Sequence, residues 1–220
     1  IDAGASFVLD GVARGSTVSV LSADIDLGGT SQLGERGVTS SLTLINRNPA
    51  LLTQVGDSAS TAPAWTLDSS EMARLFADES ISIGVDLPAP GAAGLGDVAI
   101  GDFALTYGAT GHIGSGGLFE ISTPATVSIT GDVALATGNA DDTFRVDPTL
   151  IELDTTTGSI AMLDSAGAPL GRLEMIGGTV AIASTAALGQ LRTTSDFGAI
   201  ADLLDQPGGS ADALRAGAIR

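Results

Sequence analysis

The chain contains no cysteine, no lysine, a single histidine and only 4% aromatic residues. Each absence removes a class of chemistry. Without cysteine there is neither a disulfide scaffold nor a cysteine-zinc site. Without lysine there is no Walker A phosphate loop, no Schiff base and no Ser-Lys dyad. No run approaches the ~18 consecutive apolar residues of a membrane-spanning helix. Positive charge is scarce as well, with nine arginines against 26 acidic residues and a net charge of −17. That balance excludes a basic patch for nucleic acid and repels anionic membrane surfaces. Hydrophobic residues nevertheless make up 44% of the 220 positions, which a disordered acidic tail does not have. What remains is an acidic, β-rich chain long enough for one sizeable core.

The residues that carry chemistry elsewhere are few. His112, in Gly111-His112-Ile113, is the sole candidate for a Ser-His-Asp triad or an imidazole metal ligand. Ser115 lies close by, but Ile113 stands where a Gly-x-Ser-x-Gly elbow needs glycine, so His112 reads as a turn residue. Gly94-Leu95-Gly96-Asp97-Val98-Ala99 fits a loose dinucleotide fingerprint, yet a Pro-rich stretch (Pro88, Pro90) precedes it and an alternating strand follows. A pyrophosphate needs a helix start there, so this match is discarded. Gly138-Asn139-Ala140-Asp141-Asp142-Thr143-Phe144 looks like one degenerate copy of a calcium-binding nonapeptide. Asp141, Asp142 and Asp147 are the calcium candidates, as oxygen ligands, against the alternative of a solvated Asp-rich turn.

The dominant pattern is alternation with period two in short runs. Val18 and Val20 share a face, and after Leu21-Ser22 the parity changes to Ala23, Ile25 and Leu27. Leu42 and Leu44, then Ile81 and Ile83, continue it. Val98 and Ile100 switch parity across Gly101-Asp102 into Phe103, Leu105 and Tyr107. Further pairs follow at Phe119/Ile121, Val127/Ile129, Val133/Leu135, Phe144/Val146, Ile151/Leu153, Ile160/Met162, Leu173/Met175 and Val180/Ile182.

These runs repeat. Two apolar pairs joined by a Gly-polar step occur at 98–105, at 126–135, at 151–162 and at 173–182. Val127 and Ile151 are 24 positions apart, and Ile151 and Leu173 are 22 apart. Such a period signals a solenoid, and at roughly 22 residues per coil it predicts about seven to nine coils. Glycine at the step lets the chain turn a corner and begin another strand. A β-sandwich is the alternative, but hairpin dipeptides are nearly missing, with Asp10-Gly11 the one clear candidate. The fold class expected is therefore all-β, a right-handed parallel β-helix with short helical insertions.

Coils are expected over 1–194, with residues 28–66 showing the period poorly. Asp68 with Glu71 three residues on forms a capping-box pattern, and Met72, Leu75 and Phe76 make one apolar face. That predicts a short helix near 68–77. Phe197, Ile200, Leu203 and Leu204 predict a helical covering segment over 195–220. It breaks at Pro207-Gly208-Gly209, and a second short helix is expected from Ala211 to Ala216, capped by Ser210.

Leu67-Asp68-Ser69-Ser70-Glu71-Met72-Ala73-Arg74-Leu75 followed by Ile81-Ser82-Ile83-Gly84, together with Ile151-Glu152-Leu153-Asp154-Thr155-Thr156-Thr157-Gly158-Ser159-Ile160 running on to Leu173-Glu174-Met175, resembles the filamentous-haemagglutinin-like β-helix repeats of very large surface proteins of Gram-negative bacteria. The resemblance covers residues 1–205 and encodes a coil shape, with no catalytic residues to carry over. It implies a secreted or surface-displayed adhesin, often exported by two-partner secretion. It also implies that the chain is a piece of something longer, in keeping with its opening at Ile1 inside a run. The amino-terminal secretion motif of such proteins is absent.

The function expected is a non-enzymatic structural segment of an extracellular rod, filament or adhesin that mediates cell-surface or matrix attachment. Its partners would be neighbouring coils or copies of the same protein and a surface glycan or protein receptor, with no nucleic acid and no membrane insertion. No cofactor is expected. Two alternatives stay open: a calcium-dependent binding or assembly module, and a polysaccharide-acting β-helix enzyme. Asp141-Asp142 and Gly111-His112 are similar to polygalacturonase motifs but stand in reversed order.

Overall fold

The structure is a computed structural model that describes residues 1–57, 64–86, 95–154, 158–176, 179–183, 191–193, 214–215 and 218–219. Among these residues the fold is all-β, and nearly every strand pairing is parallel.

The strands fall into three principal sheets. In spatial order the first holds Asp2–Leu9, Thr17–Leu27, Ser41–Asn46, Ser80–Val85, Leu118–Ser122, Thr143–Asp147, Arg172–Met175 and Ala218–Ile219. Along the second run Ala64–Leu67, Leu52–Val55, Val98–Ile100, Thr126–Ile129, Leu150–Asp154 and Thr179–Ala183, with Leu191–Thr193 antiparallel at the far edge. Phe103–Thr106, Asp132–Ala136, Ser159–Leu163 and Leu214–Arg215 make the third. From Ser80 to Ala183 the chain visits the sheets in a fixed rotation, first, second, third and first again. Each return lands beside the strand laid down one pass earlier.

This placement follows from the alternation. In the first sheet Val18, Leu42, Ile81, Phe119, Phe144 and Leu173 are in register, as are Val20, Leu44, Ile83, Ile121, Val146 and Met175, all pointing inward and buried. The second sheet contributes Val98, Val127 and Ile151, and the third Phe103, Val133 and Ile160. Like therefore stacks on like. The rings of Phe119 and Phe144 lie 5.3 Å apart and nearly parallel, and Phe103 meets Phe119 edge-on at 5.7 Å. Each such side chain stabilises the stack by about 1.5–3 kcal/mol on burial.

The parity switches are corners. In Thr17–Leu27, Val18, Val20 and Ser22 point inward, and after Ala23 the inward positions become Ile25 and Leu27. Between the second and third sheets the corner is a column of glycines, Gly56, Gly101, Gly131 and Gly158. A Cβ on Gly131 would stand 2.3 Å from the Gly101 carbonyl carbon and 2.4 Å from the Asp102 nitrogen. No side chain fits between backbones that close.

Three expectations need correction. The helix near 68–77 is a single turn, Ser69–Met72, because Leu75 leaves it to bridge Leu33 in parallel. Its capping box is present as predicted, with Asp68 accepting from the Glu71 N–H and Glu71 accepting from the Asp68 N–H. The helix expected from Ala211 to Ala216 is interrupted by strand Leu214–Arg215; the other positions named for the covering segment lie outside the described residues. Finally, Leu173 belongs beside Phe144 in the first sheet, and the partner of Ile151 is Val180. An apolar pair, a glycine step and another apolar pair look alike at any corner, so the 173–182 copy was one corner out of phase.

The weak period over 28–66 has a cause. Ala64–Leu67 doubles back and pairs with Leu52–Val55 on the side away from Val98–Ile100. Trp65 is fully buried there, its indole N–H 3.4 Å from Ser22 Oγ.

Candidate functional site

Outward-facing residues of successive strands are in register too, and several of their polar side chains bond one another. Along the first sheet Ser82, Glu120, Arg145 and Glu174 form one column. Arg145 donates to Glu174 Oε2 from Nε at 2.9 Å and Nη2 at 2.8 Å, and reaches Glu120 Oε1 from Nη1 at 3.5 Å. The hydrogen bond to Glu174 holds the guanidinium pKa above its ordinary value. On the N-terminal side the same wall is uncharged, with Thr17, Ser41 and Ser80 in one column and Ser19, Thr43 and Ser82 in the next.

Each corner glycine from 56 to 131 is followed by an aspartate, and the three carboxylates act as staples between levels. Asp57 accepts from the Ser69 N–H at 3.0 Å and the Ser69 hydroxyl at 2.6 Å, which hold its pKa below the usual carboxylate value. Asp102 Oδ1 accepts from the Asp132 N–H at 2.7 Å, and Asp132 Oδ1 from the Ser159 hydroxyl at 2.6 Å. Sequence reasoning missed these roles, although the recurrence of Gly-Asp at 56–57, 101–102 and 131–132 was visible.

The residues singled out for chemistry are dispersed. His112 Nδ1 accepts from the Thr106 N–H at 3.1 Å and lies 2.9 Å from Thr106 Oγ1. Ser115 Oγ accepts instead from Asn139 Nδ2 at 3.2 Å, so the two are not joined as nucleophile and base. Asp142 is fully buried, accepting from the N–H groups of Gly116 at 2.6 Å, Gly138 at 2.8 Å and Asn139 at 2.9 Å. Its neighbour Asp141 is exposed and pairs with Arg172 Nη2 at 3.1 Å. Asp147 ends Thr143–Asp147 on the first sheet, opposite Ser122. Among the described residues no group of three or more histidine, aspartate or glutamate side chains is placed to hold a metal ion. Tyr107 is buried and donates to the Thr143 carbonyl at 2.7 Å; burial pushes its phenol pKa far up.

No family model, curated protein or solved structure matches this chain. The functional reading therefore rests on the geometry.

Two edges of the assembly differ in how they are finished. In the second sheet Leu191–Thr193 lies antiparallel along the last parallel strand. Strand Asp2–Leu9, by contrast, has one neighbour in the first sheet and an open far edge among the described residues. Val8 within it and Val12 just after it are 63% and 56% exposed. An open edge flanked by apolar side chains, with no lysine or proline to guard it, is a template for another strand.

Proposed function

We propose that this chain is a right-handed parallel β-helix serving as a non-enzymatic structural segment of a secreted or cell-surface bacterial rod, filament or adhesin. The observation that supports the reading is the parallel register that recurs from level to level between Thr17 and Met175, with several outward polar groups bonded to the neighbouring level. A side chain committed to stacking is not held in reserve for a reaction. Three sheets visited in rotation are the walls of such a coil, and parallel crossovers are right-handed in about 98% of cases. The net charge of −17 favours a solvated surface that resists lateral aggregation. Open strand Asp2–Leu9 is where a neighbouring coil or a second copy would extend the first sheet. The adhesive ligand, a surface glycan or a protein receptor, would be met along the walls.

Electron microscopy of the native material from which the chain derives is the test. Rods longer than one 220-residue segment can supply are expected. Compact isolated particles would overturn the reading.

A further inference from the structure

We propose that His112 is an acid-released clasp between the 69–77 segment and the third sheet. The ring joins two elements distant in sequence. On one side Nδ1 accepts from the N–H of Thr106, the last residue of Phe103–Thr106. On the other, the ring lies against the segment that follows Ser69–Met72. The face of the ring stacks on Phe76 at 5.3 Å. The backbone completes the clasp, with the Ala77 N–H donating to the His112 carbonyl at 2.9 Å and the His112 N–H to the Thr106 carbonyl at 2.8 Å.

The Thr106 N–H needs Nδ1 as its acceptor, which places the proton of the neutral ring on Nε2. A proton on Nδ1 sets a donor against the Thr106 N–H and places a charge on a half-buried ring. No counter-charge waits for it. From the 68–78 segment, Glu71 accepts from the N–H groups of Leu27 and Asp68, Arg74 donates to the Leu27 carbonyl, and Asp78 accepts from the Gly37 N–H and pairs with Arg36. Asp68 accepts from the Glu71 N–H and the Ser70 hydroxyl. Ahead of the third-sheet strand, Asp102 accepts from the Asp132 N–H, and the turn 107–114 carries no other ionisable side chain but Tyr107, which donates to Thr143. Burial accordingly lowers the His112 pKa. In a chain without lysine or cysteine, this is the one side chain whose ordinary pKa lies near neutrality. Acidification unfastens the 106–113 turn from the 73–77 segment while the stacked core stays intact.

The test is an NMR titration of the intact chain from about pH 7.5 to about pH 4.5, following the His112 ring nitrogens and amide exchange corrected for its intrinsic pH dependence. As Nδ1 gains its proton, exchange at Thr106 and Ala77 should accelerate about tenfold or more relative to Leu135 in the core. His112→Asn, which keeps an acceptor and cannot take up the proton, should show no acceleration. Three results would overturn the proposal: a protonated ring with Thr106 and Ala77 still protected, a ring still neutral at the acid end, or the same acceleration in the asparagine variant. The wild-type titration decides the matter even where that variant does not fold.

Discussion

The N–H of Leu27 donates to Glu71 Oε1 at 2.9 Å, joining residues 44 positions apart. The Leu27 carbonyl is taken in turn by the guanidinium of Arg74. Leu27 ends strand Thr17–Leu27, whose C-terminal half pairs with Asp2–Leu9 on one side and has left Ser41–Asn46 behind on the other. Both backbone groups that a neighbouring strand would satisfy are met by side chains of the doubled-back segment. Since Glu71 also closes the capping box on the Asp68 N–H, one carboxylate ties the helix to the sheet.

Glu71→Ala should therefore destabilise the protein by about 2–4 kcal/mol, from a lost cap and a buried N–H left without an acceptor. Glu71→Gln keeps one carbonyl oxygen and should lose about half as much. Urea unfolding of the three proteins checks this. An alanine variant within about 0.5 kcal/mol of wild type would mean that the contact does not hold the segment.

Asp141 and Asp142 are adjacent and alike in sequence but opposite in role. Asp142 is buried with three N–H donors, so Asp142→Ala should cost about 3 kcal/mol or more and loosen the 115–117 and 138–142 turns together. Asp141→Ala removes an exposed ion pair to Arg172, an effect of about 0.5 kcal/mol. With both Asp142 oxygens taken by backbone groups, chelation with EDTA should leave the melting temperature unchanged. A fall in melting temperature on chelation, reversed by calcium, would show that the Asp-rich turn holds an ion.

The pH dependence has a definite sign. Burial holds the native His112 pKa below its ordinary 6.5. The unfolded chain therefore takes up this proton first, and the contribution of neutral His112 is complete above about 6.5 and lost as pH falls from there toward the native value. Glu71 runs the other way, since burial raises its pKa and its native form binds a proton before the unfolded one does. Subtracting the stability profile of His112→Asn from that of wild type isolates the histidine. The difference should decline on acidification below about 6.5, and a flat difference would remove the histidine from the account.

Much of the architecture was legible because alternation, glycine steps and repeat length are local signals. Val98-Ile100 and Phe103-Leu105 were assigned to opposite sides of a corner from parity alone, and burial follows that assignment. About seven to nine coils were expected from the period; among the described residues the first sheet has eight strands, and the full three-sheet rotation runs three times between Ser80 and Leu163. Which wall a given pair occupies was not legible, because all three walls use the same apolar pair. The doubling back of Ala64–Leu67 was hidden as well. Its determinants, Trp65 over Ser22 and Glu71 on Leu27, link residues over 40 positions apart that no window compares. The acidic residues were ambiguous for a related reason. An aspartate that staples a turn and one that binds an ion have the same composition signature, and only the donors around Asp142 tell them apart.

The glycine column provides the sharpest test of the stacked geometry. Gly131 lies over Gly101 with no space for a methyl group, and both nearby atoms are backbone, which cannot rotate away. Gly131→Ala should destabilise by about 3 kcal/mol or more, because relief requires the two levels to move apart and strain the hydrogen bonds from the Thr130 and Gly131 N–H groups to the Ile100 carbonyl. Gly138, seven positions on, has open space around its Cβ direction, so Gly138→Ala should fall within about 0.5 kcal/mol of wild type. The pair separates crowding from any general glycine effect, since both lose the same backbone freedom in the unfolded state. Equal stability of the two variants in urea would mean that the levels are not packed as closely at this corner as the column of glycines requires.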